Sequence, residues 1–245
     1  MSHSPAHTSG RRVSVEIPDL SCWWESALLV PSRYRRLYLG VELVVLYLGL
    51  PLLLYTQRAA LDGWVAPILL LLAASCTAVL WWDDSFNQRQ LWNRGAFRQH
   101  LARTLRWFVP GAISVGVLFA VLRPDLLWML PQTRTQVWLI LMLTYPVLSV
   151  YPQEIVFRAF FFHRYHPLFR TIRSKVVASS IAFGLAHIIF ANWVAPLMTT
   201  VMGGLLARTY VRTGSTLQTT LEHGLWGGFA FTIGLGWFVF SGALG

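Results

Sequence analysis

Between residues 37 and 240 the chain repeats one pattern seven times: an apolar run, then a short connection that usually carries Arg. The hydrocarbon core of a bilayer needs about 20 mostly apolar residues of helix, with a range of about 17 to 25. The runs are 37–55, 64–82, 107–122, 137 to about 162, 175–190, 193–211 and 221–240, the third and fifth being short. Backbone polar groups in lipid must be satisfied within the segment, which makes each run a helix. The expected fold is therefore all-α, a polytopic membrane helix bundle of about seven transmembrane helices. Composition agrees, since 55% hydrophobic and 12% charged residues are too apolar for a water-soluble domain of this length. Trp64, Trp81, Trp82, Trp107 and Trp193 stand near run ends, where indole rings settle at the headgroup level.

A formal charge of +10 raises nucleic acid as a partner, but the basic residues lie between apolar runs, so topology explains them and nucleic acid is not expected. Cytoplasmic loops carry the Lys and Arg excess. Assigning alternate connections to that side puts seventeen of the twenty basic residues there, leaving Arg58, Arg123 and Arg134 opposite. The N-terminus is then cytoplasmic and the C-terminus outside. Residues 1–36 read as a cytoplasmic and interfacial segment and 37–245 as a single membrane domain. Amphipathic surface helices are expected at 21–30, with Trp23 and Trp24, and along Phe97, Leu101, Leu105 and Phe108 beside Arg94, Arg98, Arg103 and Arg106. The polar start of the chain shows no cleavable signal peptide. Nineteen Arg against the single Lys175 fit a GC-rich genome, and with it a bacterial cytoplasmic (inner) membrane. Cys22 and Cys76 have no metal-ligand spacing.

Titratable side chains inside a span are costly, and each is a candidate for function. They are Glu42, Glu154 and Arg158, His187, and the pair Glu222 and His223. All but Glu42 fall in the last hundred residues, so the working half is expected at 137–240. On a helix Glu154 and Arg158, at i and i+4, share a face and can pair. Pro152 removes a backbone donor and crowds the carbonyl of Leu148, which predicts a kink that re-aims Gln153 and Glu154. Phe183 and His187 share a face, and small Gly184 permits close approach of another helix. His223 shares a face with Gly227, while Glu222 points about 100° away. A lone histidine is more often a helix-packing residue than a catalyst; two on separate spans with a Glu-Arg pair favour an active site.

The segments QEIVFR (153–158), FGLAH (183–187) and HGLWG (223–227), in this order on three spans, resemble the CPBP family of intramembrane proteases, the CAAX-processing and bacteriocin-processing enzymes that include the Rce1-like endopeptidases. The family pattern is EExxxR, FxxxH and HxxxN or HxxxD. The resemblance implies hydrolysis of a peptide bond of a membrane-anchored protein or peptide by a carboxylate-activated water. It makes His187 the residue that positions or polarises the water, His223 a stabiliser of the developing oxyanion, and Arg158 the residue that orients the carboxylate.

Two positions depart from the pattern: Gln153 stands where the first Glu is expected, and Gly227 where the Asn or Asp is expected. Glu154 then becomes the expected base, with Glu222 as another carboxylate and loss of hydrolysis as a third outcome. Asn192 is the expected substitute for the amide missing at 227. No cofactor is expected; the alternative is zinc held by Glu154, His187 and His223, although no HExxH is present. The competing functions are an inactive relative that binds membrane segments, a small transporter using the same groups as a relay, and a structural scaffold. No internal repeat or paired broken helix supports the transporter.

Overall fold

The computed structural model describes residues 33–61 and 63–239, so the expected surface segment 21–30 lies outside the described residues. Every regular element among them is helical. Seven long helices coincide with the seven apolar runs: α1 (Arg33–Thr56), α2 (Val65–Trp81), α3 (Arg94–Leu122), α4 (Thr135–Arg164), α5 (Ile172–Ala186), α6 (Val194–Thr213) and α7 (Thr216–Ile233). The protein is a helical membrane bundle. The count of seven crossings is not reproduced as such. Four helical stretches are long and apolar enough to cross alone: Arg33–Thr56, Gln88–Leu122, Thr135–Arg164 and Ile172–Phe190. α2 is apolar but shorter. α6 and α7 carry Thr, Gly and titratable residues because they are interior, with Gly203, Leu206, Ala207, Gln218 and Thr219 buried. Outward-facing Val41, Leu71, Ile113, Val121, Leu143 and Val201 are more than half exposed, an apolar surface for which lipid is the solvent.

Two boundaries differ from the sequence reading. The stripe from Phe97 to Phe108 is not a separate surface helix: α3 runs through it without a break from its Asn93 cap, whose side chain accepts from Ala96 N at 3.0 Å. α7 begins at Thr216, capped by Ser215, and ends at Gly234 with φ 101°, so Glu222 and His223 lie two turns inside the helix rather than opening it. Gly234 is required there by both its backbone and its crowding, since an added Cβ would meet the Leu126 carbonyl.

The predicted irregularity in α4 takes the form of two π turns, Pro146–Val150 and Ile155–Phe160, that widen the helix on either side of Tyr151–Glu154. The second turn exposes carbonyls to side chains. Tyr47 of α1 donates to Val156 O at 2.8 Å, and Phe157 O accepts from Ser179 of α5 at 2.8 Å and from Arg158 at 3.1 Å. These bonds satisfy backbone acceptors that a uniform helix would keep for itself.

α5 and α6 form a tight antiparallel hairpin through glycine. A Cβ on Gly184 would run into the Thr200 side chain and come within 2.8 Å of Pro196 O; one on Gly203 would lie 3.1 Å from Ser180 Cα. The close approach expected at Gly184 is thus realised. Glu42 serves packing. Its carboxylate accepts two bonds from Arg164 (3.0 and 2.7 Å) and one from Tyr165 (3.0 Å), clamping α1 to the end of α4.

Candidate active site

Glu154 closes the short α-helical segment between the two π turns of α4, and its side chain is fully buried. Oε1 accepts from Nδ1 of His223 at 2.8 Å. Oε2 lies 3.3 Å from Nε of Arg158, the i+4 partner, which is also fully buried. Arg158 is anchored in turn: Nη1 donates to Phe157 O and to Ser179 Oγ at 3.0 Å, and the guanidinium lies over the Phe183 ring, 4.9 Å from its centre. Helices α4, α5 and α7 are thereby tied by one charge cluster.

His187 stands where α5 gives way to the 3₁₀ turn His187–Phe190. Its Nδ1 donates to Phe183 O at 2.7 Å, leaving Nε2 with a lone pair. Counting from the basic loops puts His187 much deeper than His223, yet both rings meet the same phenyl ring. Phe183 lies 4.8 Å from the His187 ring centre and 5.4 Å from that of His223. One turn of α5 bridges the gap.

A partly open cavity of about 1240 Å³ runs along this cluster. Tyr145, Ser149, Gln153, His187 and His223 border it beside Gly227; Tyr47, Arg58, Thr144 and Thr199 also line it, and the rest of the wall is mainly apolar. Glu154 and Arg158 do not border it; they sit behind His223. Glu154, the expected base, presents no exposed carboxylate atom to the cavity, and its Oε1 is engaged by an imidazole. Gln153 does face the cavity, with Nε2 donating to Ser149 Oγ at 2.8 Å and Oε1 without a partner.

Two supporting residues are not brought to the site. Asn192 does not replace the amide missing at 227: it starts α6, accepting from Ala195 N at 2.9 Å and donating to Phe190 O and Phe238 O. Glu222 faces Thr209 and Arg212 of α6 rather than the cavity. The space beside Gly227 holds the hydroxyl of Tyr145, which reaches His223 Nε2 at 3.3 Å. Tyr145 carries no functional signal in the sequence, since an aromatic in an apolar run looks like core. Among the described residues, no group of three or more His, Cys, Asp and Glu is disposed to hold a metal ion. The zinc alternative therefore lacks a fitting donor set, as Glu154 is turned onto His223 instead of facing both imidazoles.

A helical membrane bundle with a buried Glu-Arg-His cluster beside a histidine-lined cavity defines a class of multi-pass membrane protein with an enclosed polar site. The comparison with known families agrees with the resemblance: residues 135–229, a stretch that contains the whole cluster, match the family model described as type II CAAX prenyl endopeptidase Rce1-like. No curated protein and no solved structure matches the chain.

Proposed function

We propose that the chain is an intramembrane endopeptidase that hydrolyses a peptide bond of a membrane-anchored protein or peptide, without a metal, in a bacterial cytoplasmic membrane. The observation that carries this reading is the Glu154–His223 hydrogen bond at 2.8 Å, set directly behind a cavity that His187 also borders. Such a cavity admits an apolar segment from the bilayer, and the histidines supply the only imidazoles along its described border.

In this reading the carboxylate works through an imidazole and does not touch the water. His187, with Nδ1 committed to Phe183 O, offers Nε2 as base. As the water oxygen bonds to the scissile carbonyl carbon, Nε2 takes the proton and the carbonyl π electrons move to oxygen. Glu154 accepts from Nδ1–H of His223, and the imidazole so oriented stabilises that oxyanion. Collapse breaks the C–N bond, and the proton on His187 passes to the leaving amine. Arg158 fixes the carboxylate, and the Gln153 amide borders the space where the water is held.

The test is cleavage of an internally quenched prenylated peptide by purified protein in liposomes, beside His187→Ala and His223→Ala and with metal analysis of the same sample. Turnover that both substitutions abolish, from metal-free protein, supports the reading; turnover that survives both ends it. A second reading, a non-cutting relative that binds membrane segments, is favoured by the neutral Gln153 amide and the sequestered Glu154. It predicts peptide binding without cleavage.

A further inference from the structure

We infer that Tyr145 is a further catalytic residue, a phenol that donates to the oxyanion beside His223; this rests on the endopeptidase reading. His223, Gly227 and Phe231 occupy successive turns on one face of α7, and the Tyr145 ring lies along that face. It is pinned edge-on to Phe231, with ring centres 5.1 Å apart, and its hydroxyl meets His223 Nε2 at 3.3 Å. Both the phenol and the imidazole border the cavity.

Gly227 makes this placement possible. A Cβ there would collide with the Tyr145 hydroxyl and lie 2.5 Å from Cε1 and 2.7 Å from Cζ. Any larger residue at 227 would push the phenol away from the imidazole. The absent side chain is thus space taken by a hydroxyl from another helix.

Glu154, His223 and Tyr145 form one hydrogen-bonded chain, carboxylate to imidazole to phenol, running from the buried cluster to the cavity. With His223 neutral and Nδ1–H on the carboxylate, Nε2 accepts the phenol hydrogen. When His223 is the cation, Nε2–H donates to the phenol oxygen, and the phenol hydrogen turns toward the cavity. The phenol hydrogen, with the imidazolium behind it, then faces the charge that develops on the substrate oxygen. Tyr145 forms no covalent bond and keeps its proton throughout.

The experiment measures kcat and KM for the internally quenched prenylated peptide with Tyr145→Phe, Gly227→Ala and 3-fluorotyrosine placed at 145. Tyr145→Phe keeps the ring and its packing on Phe231, so its folding is expected to match the parent. Loss of one oxyanion donor lowers kcat by about 10²-fold, with KM within threefold. Gly227→Ala is expected to lower kcat in the same direction, and the more acidic 3-fluorotyrosine to shift the pH profile of kcat, which a packing role would not do. Full turnover by Tyr145→Phe, with His187→Ala inactive, overturns the phenol's role and leaves the endopeptidase reading intact. Absence of cleavage by the parent protein overturns both together.

Discussion

Glu154 and His223, 69 residues apart in sequence, share a 2.8 Å hydrogen bond inside the bundle, and Arg158 faces the other carboxylate oxygen. Glu154→Gln keeps the shape and removes the charge, leaving the Arg158 guanidinium buried without a counter-ion. An unpaired buried charge costs about 3–5 kcal/mol. Both thermal stability in detergent and turnover are expected to fall, turnover by at least about 10²-fold. Undiminished cleavage by Glu154→Gln would remove the carboxylate from the mechanism.

His187 separates catalysis from stability. Its one hydrogen bond is local, to Phe183 O one turn earlier, and it lies at a helix end. His187→Ala is expected to abolish most turnover while the melting temperature stays close to that of the parent. A large drop in melting temperature would recast His187 as a packing residue.

The α5–α6 hairpin makes an ordered prediction. Gly184→Ala forces a methyl against Thr200 and the unyielding Pro196 carbonyl, Gly203→Ala presses on Ser180 and Phe183 at 3.1–3.2 Å, and Gly204→Ala meets only Ser180 Oγ at 3.5 Å. Overpacking costs about 1–3 kcal/mol, so destabilisation should decrease in that order. Melting temperatures that rank Gly204→Ala as the most harmful would contradict the packing described.

The helical segments were legible because a run of about 20 apolar residues has few alternatives in lipid. The three motifs were legible because titratable groups are scarce in such runs. What spacing could not show was direction. The π turns add residues that an ideal helix does not count, so whether Gln153 or Glu154 faces the cavity cannot be read from 3.6 residues per turn. Asn192 looked like a spare amide five residues from His187, but at a helix start its oxygen is taken by a backbone N–H. Gly227 read as a missing functional group because its neighbour in space, Tyr145, is remote in sequence and ordinary in type.

Outside the spans, His166 provides a pH handle. Burial first, and then the neighbouring Lys175 and His163, hold its pKa below the ordinary value. Lys175 Nζ donates to His166 Nδ1 at 2.8 Å, which requires a neutral ring. The unfolded chain takes up a proton as pH falls below about 6.5, before the folded protein does. Stability present above that value is therefore lost as pH falls through it. Melting temperature in detergent should drop between pH 8 and pH 5, and less so in His166→Gln. Parallel curves for the two proteins would exclude His166 as the cause.

The widened turn Ile155–Phe160 also acts as a phase setter for everything that follows it. In uniform α winding each extra residue swings the remainder of a helix by about 100°, a swing that the widened turn absorbs. Arg164, which grips Glu42 on α1, and Glu154, which grips His223 on α7, lie on opposite sides of that turn. The same residues wound as a uniform α-helix would let only one of the two grips close. The irregular winding is what allows a single rod to be bolted to the bundle at one end and aimed at the chemistry from the middle.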